Sequence, residues 1–475
     1  MKQPKIAIVG GGIAGATAAI YLGGLGLDIT LFEQENSLVN GPPWCHLHAG
    51  GNFYPEISDE QCLTLLKQSI DFARFYPHIL DYRPTVIALP LGYPRTPETF
   101  LPRLQKLQKE YQMLIEADEA NEVLGKSSSY YRLFERSEVE ALRSKEISQN
   151  PISLEEWLIP VAKYVDLDTI QFPLILVQEY GLNLFRAGAS LSLGLKTLPN
   201  VSVNLSTKIT RIQPLEAQWK LTSEHGGMSH ASTFDYLINA AGFRTGKLDD
   251  MLGIPCKRMV EFKAAYVSRW DAMKEVQWPE MVFHGKRGTP KGMGQFTPYP
   301  HGYFQLHGMT KEITLYEDGL VGNSTVSCQP DLHPSFIEKI EKEWSETETK
   351  ERTQSAIKHL ARFIPSFATA KVGSKPLFGA QQIPGDDPDL RVAEVDFPVA
   401  RYARCEIVKV SSVLDMIDAI VQELIGLGYL SSSAYGKRDL NAFNNLSESD
   451  INKTAEVLCE LRNYPIDLGH RNFFR

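Results

Sequence analysis

Residues 6–15 read IAIVGGGIAG, an apolar strand that runs directly into the spacing Gly10-x-Gly12-x-x-Gly15. Residues 16–22, ATAAIYL, are expected to continue as a helix, and ITLF at 29–32 as a second strand. In such a unit the first glycine makes a tight turn, the second lets backbone approach a pyrophosphate, and the third lets helix and strand pack closely. The phosphates bind free N–H groups at the positive end of the helix. The stretch therefore predicts a dinucleotide-binding βαβ unit.

An acidic residue closes the second strand. Glu33 follows Gly15 by 18 residues, where a carboxylate hydrogen-bonds a ribose diol. An acid at this place disfavours a 2′-phosphate, which argues against NADP. The motif alone does not separate NAD from FAD. A chain that opens with its dinucleotide site and then interleaves a second domain is common among flavoproteins, which favours FAD.

Length and composition limit the class of protein. With 475 residues the chain is too long for one compact core, so we expect two intertwined domains. A net charge of −8 without a basic stripe argues against nucleic acid, and no apolar run is long enough for a membrane span. Met1–Lys5 lead straight into the first strand, so no signal peptide is expected. The six cysteines lack CxxC spacing, which predicts reduced thiols in the cytoplasm and no metal site.

Changes in pattern along the chain predict the domain organisation. The predicted fold class is α/β, with a Rossmann-like dinucleotide-binding domain interleaved with a substrate domain built on a mixed or antiparallel sheet. We assign residues 1–75, 181–257 and 378–430 to the first domain, and residues 76–180 and 258–377 to the second. Residues 431–475 are expected to form a helical tail, with Ser447 and Asp450 as a capping pair.

Four segments give the chain a resemblance to a known family. They are the glycine motif, WCHLHAGG at 44–51, LINAAG at 237–242 and YARCEIVKVSSV at 402–413. In this order they resemble the FAD-dependent D-amino-acid oxidase superfamily, which includes glycine and sarcosine oxidases, dimethylglycine dehydrogenase and 2-hydroxyacid dehydrogenases. The resemblance implies FAD as cofactor. The residues that it places against FAD are Gly10, Gly12, Ile13, Ala14, Gly15, Glu33, Gln34, His48, Ala49, Gly50, Gly51, Ile209, Ala240, Ala241, Gly242, Lys409, Val410 and Ser411.

Two of these residues have alternative roles. Lys409 either adds a positive charge beside the flavin pyrimidine, at the start of a helix near Ser411, or is a surface lysine. His48 matches the histidine that dimethylglycine dehydrogenase-like members join covalently to the flavin. The other interpretation is that His48, or His46, only hydrogen-bonds backbone in the glycine-rich loop. Relatives carry a glycine-rich run where this chain has Arg404-Cys405-Glu406, so the sequence departs from the family pattern at this place.

The family oxidises a C–H bond next to nitrogen or oxygen by hydride transfer to flavin N5. Relatives often bind the substrate carboxylate with an arginine in a Pro-Arg-x-x-Gly segment. The matching stretch, 297–308, has no arginine, and His301 stands nearest to that place. The candidate catalytic residues are His301, Tyr303, Gln305 and His307, with Tyr299 as a further contact. Residues 303, 305 and 307 share one face of a strand. The alternative is that these side chains only line the sheet. Candidate anion-binding arginines are Arg244, Arg258, Arg401 and Arg404.

These observations lead to one prediction of function and its alternatives. We expect an FAD-dependent oxidoreductase that oxidises a small anionic amine or amino acid and passes electrons to oxygen or quinone. The first alternative is a 2-hydroxyacid dehydrogenase coupled to quinone. The second is a non-catalytic flavin-binding protein. An NAD-dependent dehydrogenase fits least well, because the loop at 48–51 would then have no purpose.

Overall fold

The computed structural model describes residues 3–50, 57–313, 319–437, 441–443 and 445–471. Its strands, in chain order, are β1 (Lys5–Val9), β2 (Asp28–Phe32), β3 (Leu80–Asp81), β4 (Thr85–Ala88), β5 (Tyr131–Phe134), β6 (Leu174–Val177), β7 (Gly181–Leu182), β8 (Val201–Asn204), β9 (Thr207–Pro214), β10 (Trp219–His225), β11 (Met228–Phe234), β12 (Tyr236–Asn239), β13 (Arg258–Arg269), β14 (Glu280–Phe283), β15 (Gly294–Pro298), β16 (Tyr303–Gly308), β17 (Leu320–Gly322), β18 (Lys371–Val372), β19 (Leu377–Pro384), β20 (Val395–Asp396) and β21 (Tyr402–Cys405).

The α-helices of the described chain are α1 (Ile13–Gly24), α2 (Asp59–Phe75), α3 (Leu101–Ala117), α4 (Arg136–Ala141), α5 (Leu154–Tyr164), α6 (Leu184–Lys196), α7 (Thr245–Leu252), α8 (Pro334–Glu341), α9 (Glu346–Leu360), α10 (Val413–Gly426) and α11 (Glu448–Leu461). None of these described helices is both long and apolar enough to cross a lipid bilayer.

The first sheet carries the predicted βαβ unit. Its strand order is β20-β21-β12-β1-β2-β8, and β1 pairs in parallel with both β2 and β12. Four of the five β1 residues are buried, as expected for a strand covered on both faces. Helices α1, α6 and α10 pack in the same apolar core. The predicted helix after the glycine motif and the predicted second strand are therefore confirmed.

The second sheet is mixed and mostly antiparallel. Its order is β17-β13-β16-β15-β14-β4-β6-β5, with β18 and β19 also paired to β13. The pair β14–β4 is parallel and joins the chain before residue 180 to the chain after residue 258. The α/β class with interleaved domains is thus confirmed. The expected boundary at residue 378 falls inside β19, which pairs with β13 along its length. The chain therefore returns to the first sheet later, at β20.

The tail packs between the two domains. Ser447 caps helix α11 by accepting a hydrogen bond from the Asp450 N–H at 3.1 Å, so the predicted capping pair is confirmed. Apolar residues of α11, such as Ile451 and Leu458, are buried in a cluster with Phe185 of α6 and Tyr303 of β16. This tail therefore contacts helix α6 of the first domain and the second sheet.

Candidate active site

Three glycines shape the turn between β1 and α1. Gly10 has a φ of +105°, and a methyl group built on it would lie 2.3 Å from the Ala240 carbonyl oxygen. A methyl group on Gly15 would lie 1.9 Å from the Gly10 carbonyl oxygen, whereas one on Gly12 would meet nothing within 4 Å. Gly12 therefore borders open space, whereas Gly10 and Gly15 are packed against backbone. This arrangement leaves room for a phosphate beside the backbone of Gly12.

The first turn of α1 suits an anion. Gly12 is the N-cap and offers no side-chain cap, and the turn contains no acidic residue. Ile13 and Ala14 open the helix, so their N–H groups lie among those without an intrahelical partner. Helix N–H groups of this kind bind phosphate readily.

Glu33 lies beside this turn. Its carboxylate accepts hydrogen bonds from the Gly11 N–H at 2.5 Å and the Glu35 N–H at 2.8 Å. Burial raises the pKa of this carboxyl group. The neighbouring Gln34 accepts a hydrogen bond from Arg244 at 3.2 Å. Ile209 is buried in the apolar cluster that contains Phe32, so it lies close to the end of β2.

The other predicted residues of this region follow β12. Ala240, Ala241 and Gly242 come directly after that strand, beside Gly10. All of these positions therefore gather at the carboxyl edge of the first sheet, where dinucleotides bind in such folds. The glycine cradle, the uncapped helix and the acidic residue fit the ADP half of FAD.

Arg462, at the end of α11, holds the loop that follows Glu33. Its guanidinium donates to Ser37 Oγ at 3.2 Å, to the Leu38 carbonyl at 2.6 Å and to the Val39 carbonyl at 3.1 Å. Val39 has a φ of +60° and donates its N–H to the Gly11 carbonyl at 2.9 Å. Sequence reasoning did not assign a role to this arginine, because it lies more than 400 residues from the loop that it contacts.

The resemblance places the flavin ring against the loop at 44–50. Ala49 and Gly50 are buried, and Gly50 has a φ of +90°. Gly51, also predicted to contact FAD, lies outside the described residues. The resemblance also places the 3-10 turn at Val410–Ser412 against the flavin; this turn leads into α10 and directly follows Lys409. A helix start of this kind directs positive potential outward.

A buried ion-pair network fixes the loop at 44–50 to the second sheet. His46 Nδ1 lies 2.6 Å from Glu280 Oε1, and Arg83 donates to Glu280 Oε2 at 2.5 Å. Burial alone raises the pKa of Glu280, but His46 and Arg83 outweigh it and lower the pKa to about 2. Burial lowers the pKa of His46, but Cys45 and Glu280 outweigh it, so the pKa lies well above its usual value. These charged hydrogen bonds fix the loop at 44–50 to the second sheet.

Potential metal ligands also meet in this loop. Donor atoms of Cys45, His46 and His48 lie within 4.8 Å of one another. The rings of His46 and His48 are 4.7 Å apart between centroids. His46 Nδ1 already pairs with Glu280, so this nitrogen is occupied by a partner within the protein. The absence of a metal stays a prediction.

Four cations and one carboxylate meet between the loop and the second sheet; we call this group the cationic cluster. Glu261 and Lys263 share a face of β13, and Lys263 Nζ lies 3.4 Å from Glu261 Oε2. Arg287 donates to Glu261 Oε1 at 2.8 Å. Lys409 and Arg391 complete the cluster from the first domain. All five side chains are partly buried.

The cationic cluster shifts the pKa values around it. Burial, followed by repulsion from Lys263 and Arg391, lowers the pKa of Lys409 well below its usual value. Burial and Lys409 likewise lower the pKa of His48. Burial and Lys263 lower the pKa of His307 to about 4. Both imidazoles are therefore neutral at pH 7, and Lys263 contributes to the lowered pKa of each.

The predicted substrate residues do not all reach this cluster. His307 does, and its Nδ1 lies 3.3 Å from the Ala264 carbonyl. Gln305 is buried two residues earlier and accepts from the Tyr299 hydroxyl at 3.2 Å. Tyr303 instead packs in the apolar cluster with α11. His301, 61% exposed with a φ of +56°, pairs with Asp467 of the tail at 2.5 Å.

The four arginines predicted to bind the substrate anion lie outside the cationic cluster. Arg258 and Arg404 share the carboxylates of Asp249 and Glu406. Arg244 pairs with Glu341 at 2.7 Å. Arg401 stands at a backbone turn with a φ of +60°. Sequence reasoning missed Lys263 and Arg391, which act on His48, and Arg287, which acts on His307.

The fold and this site define a dinucleotide-binding oxidoreductase with two interleaved domains. A family match makes the class specific, because residues 5–386 match the DAO family, described as FAD-dependent oxidoreductases. The chain belongs to this family, so it is an FAD-dependent oxidoreductase and FAD is its cofactor. The predicted family, cofactor and enzyme class are therefore confirmed.

Solved structures share the fold. L-amino acid deaminase from Proteus vulgaris is similar with a TM-score of 0.58 and 14% identity, covering 90% of this chain and 94% of that one. Glycine oxidase from Geobacillus kaustophilus gives a TM-score of 0.55 and 13% identity, with 93% and 98% covered. Glycerol-3-phosphate dehydrogenase from Bacillus halodurans, complexed with FAD, gives 0.56 and 12%, with 98% and 74% covered. At these identities the likeness concerns the fold.

Proposed function

We propose that the enzyme oxidises a small anionic amino acid or amine at the carbon that bears the nitrogen. The observation that carries this proposal is the convergence of Lys263, Lys409 and the neutral His48 between the loop at 44–50 and the second sheet. When bound, FAD accepts the hydride at N5. The chain itself binds the substrate anion, orients the C–H bond and balances charge.

The residues near the cluster divide these tasks. Lys409 and the helix start behind it offset negative charge on the reduced flavin ring. Lys263 and Arg287 bind the substrate anion. A neutral imidazole, from His307 or His48, accepts a hydrogen bond from the substrate nitrogen, since its lowered pKa leaves a ring nitrogen unprotonated at pH 7. Gln305 supports His307 from two residues away, whereas His301 and Tyr303 have no part in this proposal.

The residues around the glycine cradle hold the ADP half of FAD in this proposal. The glycine motif binds the pyrophosphate, Glu33 and Gln34 bind the ribose, and residues 240–242 cover the far side. Acid precipitation distinguishes the two roles left open for His48. A covalent bond keeps the yellow colour in the pellet, and a dissociable FAD releases it to the supernatant.

The test is anaerobic reduction of the bound flavin. Holoenzyme is mixed with a panel of amino acids, amines and 2-hydroxy acids, and bleaching of the visible flavin absorbance is followed. We expect anionic amino acids to bleach the flavin and to release ammonia after the imine hydrolyses. Reoxidation by oxygen or by a quinone analogue then identifies the electron acceptor. Flavin that no compound reduces would support a non-catalytic flavin-binding protein.

One observation favours the alternative, a 2-hydroxyacid dehydrogenase. Among the solved structures that share the fold is the glycerol-3-phosphate dehydrogenase from Bacillus halodurans, and glycerol 3-phosphate carries hydroxyl groups and no nitrogen. Bleaching by 2-hydroxy acids without ammonia, followed by reoxidation only with quinone, would establish this activity. For location, we propose the cytoplasm, since the six cysteines form no disulfide with one another.

A further inference from the structure

Two cysteines, Cys256 and Cys328, lie against each other where the chain passes from the first domain into the second sheet; we call them the thiol pair. The Cys256 N–H donates a hydrogen bond to Cys328 Sγ at 3.1 Å, and the Cys256 thiol donates to the Cys328 carbonyl at 3.9 Å. Because each side chain reaches the backbone of the other residue, a disulfide between them needs little movement of either segment.

Both segments of the thiol pair are fixed by other contacts. The Cys328 N–H donates to Asp250 Oδ1 at 2.6 Å, and the Cys328 thiol donates to the Ile254 carbonyl at 3.1 Å. Asn323, which lies in the same loop as Cys328, donates to the Cys256 carbonyl at 3.0 Å. This loop is thus bound both to helix α7 and to the linker that carries Cys256. The folded protein therefore keeps the two sulfur atoms near each other.

The two thiols differ in exposure. Cys256 is partly exposed, whereas Cys328 is buried, so an oxidant in solution meets Cys256 first. Burial raises the pKa of Cys256 to about 12 against the opposing effect of Arg258, and a hydrogen bond with the Cys328 thiol adds to the rise. Nearly all of Cys256 is therefore protonated at pH 7. Since only the thiolate attacks a disulfide, oxidation is slow and requires sustained oxidising conditions.

A bond within the thiol pair would close a long loop of the second domain. The strands β13, β14, β15, β16 and β17 all lie between the two cysteines. They make up half of the ten-stranded second sheet. Closing a loop of this length lowers the entropy of the unfolded chain and so stabilises the folded state.

We propose that Cys256 and Cys328 form a reversible disulfide when a small disulfide such as oxidised glutathione accumulates, and that this bond stabilises the second sheet against unfolding. The Cys256 thiolate attacks one sulfur of the oxidant, which releases one glutathione and leaves a mixed disulfide. The Cys328 thiolate then attacks the Cys256 sulfur and releases the second glutathione. The two thiol protons pass to the two released glutathione thiolates, so one disulfide is reduced as the other forms. The bond forms whichever substrate the enzyme oxidises.

The test exposes holoenzyme to a large excess of oxidised over reduced glutathione. The remaining thiols are blocked with N-ethylmaleimide, and peptides from a digest are identified by mass spectrometry. We expect a linked pair of peptides that contains Cys256 and Cys328, and we expect dithiothreitol to release both thiols. Absence of this pair, or a link to a different cysteine, would overturn the proposal.

Thermal unfolding of the same samples tests the stabilising effect. The disulfide-bonded enzyme should unfold at least about 2 °C above the enzyme treated with dithiothreitol, because the closed loop restricts the unfolded chain. An equal midpoint in the two samples would overturn the stabilising role.

Three variants locate the bond. In Cys328→Ser, Cys256 should retain glutathione as a mixed disulfide, because no second thiol displaces it. Cys256→Ser should show neither the linked peptides nor the rise in the unfolding midpoint. Cys45→Ser is the matched control, since Cys45 is the other partly exposed cysteine, and it should keep both effects. A rise in midpoint that persists in Cys256→Ser would place the effect elsewhere and refute the assignment.

Discussion

Replacing Arg462 by alanine should weaken FAD binding at least tenfold. The guanidinium makes three hydrogen bonds, of 2.6–3.2 Å, to the loop at 37–39. That loop contacts the glycine turn through the bond from the Val39 N–H to the Gly11 carbonyl. Val39 also sits at a φ of +60°, a strained conformation for a β-branched residue. Without Arg462 the loop is free to relax away from the dinucleotide site.

The magnitude follows from the bonds. A hydrogen bond from a charged donor contributes about 1.5–3 kcal/mol. We assume that FAD binding loses the stabilisation that one such bond gives to the loop. A loss of about 1.4 kcal/mol in binding free energy raises the Kd for FAD about tenfold. Burial lowers the pKa of Arg462 to about 10, so the side chain stays charged at pH 7 and the estimate holds there.

The assay is titration of the apoprotein with FAD, followed by quenching of flavin fluorescence, alongside thermal unfolding of the apoprotein. Arg471→Ala is the matched control, because Arg471 lies in the same tail and bonds the Pro77 and Leu80 carbonyls instead. It should lower the midpoint of unfolding and leave FAD affinity within twofold. Equal FAD affinity in Arg462→Ala and wild type would refute the reasoning.

Three further predictions concern other features. Gly12→Ala should fold normally yet lose FAD, whereas Gly15→Ala should lower the unfolding midpoint itself, because its methyl group meets backbone at 1.9 Å; visible absorbance and thermal unfolding distinguish them. Glu280→Gln should cost about 3–5 kcal/mol in denaturant unfolding. Because the folded pKa of Glu280 is about 2, its stabilisation is full above the usual value of 4.5 and is lost as pH falls toward 2, so the variant should show less acid sensitivity in that range. The folded pKa of His307 is about 4, so protonation of the unfolded chain destabilises wild type as pH falls below 6.5; His307→Gln should gain stability relative to wild type between pH 6.5 and 4.

Local signals predicted the first domain well. The glycine turn, α1 and β2 follow from spacing within 30 residues, and the cap at Ser447 depends on Asp450 three residues away. Helix α6 begins at Leu184 because Asn183, a residue type typical of helix N-caps, accepts two backbone N–H bonds there. Such features depend on neighbours in sequence, which a single chain displays directly.

Contacts between distant residues were beyond sequence reasoning. His46 and Glu280 are 234 residues apart, and no pattern links them. Side chains alternate along a strand, so the sequence predicted that Tyr303, Gln305 and His307 share one face. It did not predict which segments of the chain pack against that face. The tail covers Tyr303, and the left-handed backbone at His301 turns that residue toward Asp467. Nothing in the sequence distinguishes Lys263 from other lysines in strands. Its place at the domain junction follows from the pairing of β13 with β19.

The contact between Arg462 and the loop at 37–39 has a consequence for biosynthesis. Translation proceeds from the N-terminus, and domains generally fold as the chain emerges. The glycine turn, Glu33 and both sheets are therefore complete before Arg462 leaves the ribosome. FAD capture is then a late event, which follows the docking of α11 against α6. A ribosome-bound chain stalled before residue 462 would retain FAD poorly, although its nucleotide-binding motif was made first.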